Sequence, residues 1–125
     1  MSRIWLAAVL LAITSSQDAR AIETPQQLAK NCEMLEASTK GRRHLQIPKA
    51  NPALLCWGYM QAMQDISSLA DHNGHRLAGS CPPEDGTLLD LIHDYVAYAR
   101  SHQYALGGNT AAAVIKALQV LYPCS

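Results

Sequence analysis

Four cysteines, Cys32, Cys56, Cys81 and Cys124, constrain this chain most, because all of them follow a segment that reads as an export signal. Residues 1–21 carry its parts in order. Arg3 supplies the positive start, Ile4 to Ile13 is an uncharged apolar run too short to span a bilayer, and Ala19-Arg20-Ala21 is an A-x-A cleavage site. Ile22 stands where a lipid-anchoring cysteine would follow the cut. The expected product is a single domain over residues 22–125, released into an oxidising compartment. An even cysteine count in that setting predicts two disulfides.

A domain of this size builds only a modest core, and two covalent staples offset that. Beyond Ala21 the chain carries eight Lys or Arg and nine Asp or Glu. A net charge near −1 argues against a broad nucleic-acid-binding surface and gives no reason to invoke a membrane. Phenylalanine is absent, so aromatic bulk comes from Trp57 and five tyrosines.

The apolar spacing predicts four helices. Thr24-Pro25 with Gln27 reads as a capping box with proline at the first helical position, followed by Leu28, Cys32 and Leu35 on one face. From Ser38 to Pro52 the pattern breaks into a loop holding Lys40, Arg42, Arg43, His44 and Lys49. Asn51-Pro52 opens a second helix whose expected buried stripe is Cys56, Met60, Met63, Ile66 and Ala70, with Tyr59 beside it. Asp71 to Ser80 is polar and holds two glycines, so it is an exposed turn. Thr87 with Asp90 forms a second capping box, ahead of Leu88, Leu91, Ile92, Tyr95, Val96 and Ala99. Gly107-Gly108 ends that stretch, and Asn109 or Thr110 caps a last helix with Ala111, Val114, Leu118 and Leu121 as its stripe, closed by Pro123. No window alternates with a period of two. The expected fold is a small all-α four-helix bundle.

That layout favours one of the three possible disulfide pairings. In an antiparallel hairpin of the first two helices, Cys32 late in one faces Cys56 early in the other. The same geometry for the last two brings Cys81 to Cys124. Loop-closure entropy then stabilises by roughly 3–4 kcal/mol per bridge.

Catalytic strings are few. His93-Asp94-Tyr95 resembles the His-Asp pair that secreted phospholipases A2 carry on a helix. That chemistry also needs a glycine-rich calcium loop and a second carboxylate to orient the imidazole, and neither is evident here. His72-x-x-His75 beside Asp71 offers two imidazoles in a glycine-bearing turn, short of the three or four ligands zinc takes. The expectation is no metal, no cofactor and no enzyme activity, because no nucleophile has a recognisable base.

Four anchors together resemble the Rap/Tai immunity proteins of type VI secretion systems. They are Leu28 to Cys32; Cys56-Trp57-Gly58-Tyr59-Met60 with Asp65, similar to C-x-G-Y-(I/L/M)-x-G-x-x-D; Cys81-Pro82-Pro83-Glu84 leading to Thr87-Leu88 and Leu91; and Ala113-Val114, Ala117-Leu118 and Tyr122-Pro123-Cys124. The chain departs from the pattern at Ala62, where a glycine is usual, at Gly86, shifted by one, and at Gln103, where proline is common. The matching residues are structural in character, with Gly58 expected to let helices approach.

The resemblance implies a periplasmic protein that binds and occludes a cognate toxic effector, often a peptidoglycan amidase, and that forms a homodimer. A periplasmic helical chaperone or structural protein is the alternative. With the helical stripes assigned to the core, the effector surface is expected on the turn Asp71, His72, Asn73, His75 and Arg76. The outer face of the third helix, with Asp90, His93 and Asp94, is expected to add an acidic patch.

Overall fold

The computed structural model describes residues 24–39 and 51–125. It has four α-helices: α1 (Pro25–Thr39), α2 (Asn51–Ser68), α3 (Leu88–Ser101) and α4 (Thr110–Leu121). A single 3-10 turn, Gln103–Ala105, precedes α4. Two isolated bridges, Ala70 with Arg76 and Ser80 with Pro123, are the β-type pairings among the described residues. The export segment 1–21 and the basic run at Lys40, Arg42, Arg43, His44 and Lys49 lie outside those residues.

The caps of α1, α3 and α4 follow from the sequence, whereas Asn51, expected to cap α2, is its first helical residue. The Thr24 hydroxyl accepts from the Gln27 N–H at 3.1 Å. At α3 both halves of the capping box form between Thr87 and Asp90. Asn109, rather than Thr110, caps α4 by accepting from the Ala112 N–H at 3.1 Å. The end of α1 runs further than expected: Ser38 and Thr39 turn their hydroxyls back onto the Leu35 and Glu36 carbonyls at 2.6 and 2.9 Å.

Every helix touches every other, α1 against α2 most extensively. Leu28, Cys32 and Leu35 of α1 meet Cys56 and Met60 of α2, Ile92, Tyr95 and Val96 of α3, and Val114 and Leu118 of α4 in one buried cluster. Tyr95 at its centre is fully buried, and its hydroxyl donates to the Pro25 carbonyl at 2.9 Å, so the polar end of the ring is satisfied. Both expected bridges are present, Cys32–Cys56 and Cys81–Cys124.

Two expectations for α2 are corrected. Ile66 is 40% exposed and Ala70 is exposed, whereas Ser67 is buried. Positions 56, 60, 63 and 67 hold the 3.6-residue period, and position 66 rotates off it. Burying the serine costs little because its hydroxyl donates to the Met63 carbonyl at 2.8 Å. The second correction concerns Gly58, which is exposed; a Cβ built there meets nothing within 4 Å among the described residues. No close approach inside the bundle uses it.

The 69–87 connection is pinned to α4. Cys81 donates its N–H to the Tyr122 carbonyl at 2.8 Å, and the Gln119 amide donates to the Ala78 carbonyl at 2.9 Å. Gly79 takes φ +70°, and a side chain there would press on Gln119 at 3.1 Å.

Candidate functional site

The expected surface residues divide into builders and projectors. Asp71 builds the turn: its Oδ1 accepts the N–H groups of Asn73 and His75 at 2.8 and 2.9 Å, and its Oδ2 lies 3.3 Å from His75 Nδ1. Those hydrogen bonds, the His75 N–H foremost, hold its carboxyl below the usual carboxylate range. Arg76 closes the turn from the other side, donating through Nη1 to the Ser68 carbonyl at the end of α2 at 2.6 Å. His72 and Asn73 are exposed at the tip.

On α3 the three expected residues are all engaged. Asp90 Oδ2 accepts from the Thr87 N–H at 2.9 Å and from its hydroxyl at 2.8 Å, which lowers the Asp90 carboxyl. His93 Nδ1 lies 2.8 Å from Glu36 Oε1 on α1. Asp94 accepts a hydrogen bond from the Tyr122 hydroxyl. Burial first, then that bond and the neighbouring carboxylate charges, push the Tyr122 phenol up.

Glu36 corrects the sequence reading of His93. A second carboxylate does orient this imidazole, supplied from 57 residues away by the packing of α1 on α3. The pair faces water, with the His93 side chain 73% exposed. It joins α1 to α3, as Arg100 does more loosely with Glu33 at 3.2 Å. In the turn, His75 is taken up by Asp71, and among the described residues no three His, Cys, Asp or Glu stand close enough together to hold a metal ion.

The structure also joins the two patches. A hollow of about 390 Å³ is lined by Gln64, Pro82, Pro83, Asp85, Gly86, Thr87, Asp90, Leu91, His93, Asp94 and Tyr122. A second, of about 240 Å³, shares Gln64, Pro82, Pro83 and Gly86 with it and reaches Arg76. Together they form an open groove from the turn to the end of α4, with Asp90, His93 and Asp94 at one end and Arg76 at the other. Gln64, Pro82, Pro83, Asp85 and Tyr122 are groove residues that the sequence reading did not select. The expected Cys81–Cys124 pairing was a signal for Pro82 and Tyr122 alone, which follow and precede those cysteines and line the same hollow.

Neither the curated proteins nor the solved structures yield a significant match. The model of the Rap1a immunity proteins matches residues 24–124, a span that takes in all four helices and both disulfides. The chain therefore belongs to the family of Rap1a immunity proteins.

Proposed function

We propose that this protein acts in the periplasm as the immunity partner of a type VI secretion effector, binding the toxin and occluding its active site. The family match over 24–124 carries this reading. The effector class assigned to it is a peptidoglycan-cleaving amidase, and the protein itself performs no catalysis and needs no cofactor. It works as a homodimer. No described helix is long and apolar enough to cross a membrane, which suits export through the 1–21 segment.

The turn and the α3 face remain the proposed contact surface, with the connecting groove added. Hydrogen bonding fixes the turn, so His72 and Asn73 are presented at low ordering cost. Because Asp71, Arg76, Asp90 and Asp94 hold the fold together locally, reversing their charges would confuse binding with structure. His72→Glu with Asn73→Lys is the cleaner probe.

The test is co-purification of the exported protein with the product of the neighbouring toxin gene, followed by calorimetry. Tight one-to-one binding, weakened by more than about 2 kcal/mol in the double variant, is expected. Promiscuous binding of unfolded clients would instead establish the chaperone alternative. Full affinity in the double variant would move the contact surface elsewhere.

A further inference from the structure

The two disulfides differ in what surrounds them. Cys32 and Cys56 are fully buried in one cluster with Leu28, Met60 and Tyr95, so a reagent reaches their sulfurs only when the bundle opens. Cys81 is half-buried and Cys124 is exposed. Thiol–disulfide exchange requires a thiolate to reach a disulfide sulfur, so access separates the two bridges kinetically.

The exposed bridge holds a wall of the groove. The connection from α2 to α3 is anchored at both ends, by the Arg76 guanidinium on the Ser68 carbonyl and by the Thr87–Asp90 capping box. Between those anchors run Pro82, Pro83, Asp85 and Gly86, which line the larger hollow. On the α4 side, Tyr122 is held to α3 by its hydroxyl on Asp94. Cys81–Cys124 is the covalent tie between these two sides. Two hydrogen bonds supplement it, from the Cys81 N–H to the Tyr122 carbonyl and from the Gln119 amide to the Ala78 carbonyl.

Beside the bridge, the Ser80 hydroxyl is fully buried and has no hydrogen-bond partner among the described residues. A buried hydroxyl without a partner favours any state that lets water reach it. Once the covalent tie is cut, Ser80 therefore biases the connection towards opening.

We propose that Cys81–Cys124 is a clasp opened by a dithiol: its reduction loosens the Pro82–Gly86 wall of the groove while the helical bundle and Cys32–Cys56 stay intact. One thiolate of the dithiol bonds to the Cys124 sulfur, the Cys81–Cys124 bond breaks, and Cys81 leaves as a thiolate. The second thiolate of the reagent attacks the reagent sulfur just bound, expels the Cys124 thiolate and closes the reagent's own disulfide. The dithiol is oxidised by two electrons, and the protons of its two thiols end on Cys81 and Cys124. The clasp acts on the groove whether or not an effector binds there, so it stands apart from the immunity reading.

Stepwise addition of dithiothreitol to the exported, oxidised protein at neutral pH tests it, each step being quenched by alkylation and followed by peptide mapping. Cys81 and Cys124 are expected to be alkylated faster than Cys32 and Cys56 by about tenfold or more. Helical circular dichroism should be unchanged while only that pair has opened. In the half-reduced protein, hydrogen exchange at the Cys81 amide should quicken by about tenfold or more, with the Ile92 and Tyr95 amides exchanging as before. Cys81→Ser with Cys124→Ser should show the fast exchange without reductant, and Ser80→Ala should loosen less on reduction than the wild type. Equal alkylation rates for the two bridges, or a half-reduced protein whose Cys81 amide exchanges as slowly as before, overturns the proposal. So does loss of the helical signal as soon as Cys81–Cys124 opens. Calorimetry with the product of the neighbouring toxin gene keeps the two readings apart. A half-reduced protein that exchanges fast yet binds at full affinity upholds the clasp and removes the groove from the contact surface.

Discussion

At Tyr122 one side chain links three parts of the molecule. Its carbonyl accepts from Cys81, its hydroxyl donates to Asp94 on α3, and its ring lines the groove. Tyr122→Phe is expected to destabilise by about 1 kcal/mol in urea titrations at neutral pH, the net worth of one hydrogen bond. The phenol's folded pKa lies above its unfolded value near 10, so its stabilisation is fully present below about pH 10 and fades as pH rises through the folded value. The variant should therefore flatten the alkaline limb of stability against pH. The flattening is partial because burial pushes Tyr95 the same way. Asp90 has the opposite sign. Its folded pKa is depressed, so its contribution holds above about pH 4 and is lost on acidification below that. Asp90→Asn should flatten the acid limb of the same measurement, and an unchanged acid limb would show that the cap's carboxylate does not drive it.

Among the elements, the two disulfides have separate tasks. Cys32–Cys56 is fully buried and clamps α1 to α2 inside the core, whereas Cys81 is half-buried and Cys124 exposed where they tie the groove wall to the chain end. They close loops of 24 and 43 residues, worth about 3.5 and 4 kcal/mol by loop entropy. Cys32→Ala with Cys56→Ala also leaves a gap in the core, so it should cost more than the entropy and collapse the helical signal on mild heating. Cys81→Ser with Cys124→Ser should keep most of the helical circular dichroism. Peptide mapping of each double variant should find the other bridge intact. Recovery of Cys32 joined to Cys81 or Cys124 would contradict the hairpin packing of α1 on α2.

Across the whole molecule, the core and the proposed contact surface draw on different residues. The core cluster draws on Cys32 and Cys56, Leu28, Tyr95, Val114 and Leu118, whereas His72 and Asn73 at the tip take no part in it. Substitution at the tip is expected to change partner affinity without shifting the melting temperature, and substitution at Tyr95 to do the reverse. Thermal melts run beside effector calorimetry would separate the two.

The helices, the caps of α1, α3 and α4 and both disulfide pairings were legible in the sequence because they rest on local physics. A capping box, a 3.6-residue period and the order of four cysteines each act over short stretches or through simple hairpin geometry. The choice of Ser67 over Ile66 for the core was not legible, since hydrophobicity alone ranks isoleucine first and only the Met63 carbonyl makes the serine cheap to bury. Nor was the groove, whose walls at Pro82, Asp90 and Tyr122 meet only after the chain has closed on itself. His93 shows the limit most plainly. Its neighbour Asp94 bonds to Tyr122, and the carboxylate that orients the imidazole, Glu36, arrives from another helix. Sequence determined which elements form and which faces they bury, whereas tertiary packing alone decided which distant side chains meet, because that depends on how helices rotate and slide against one another.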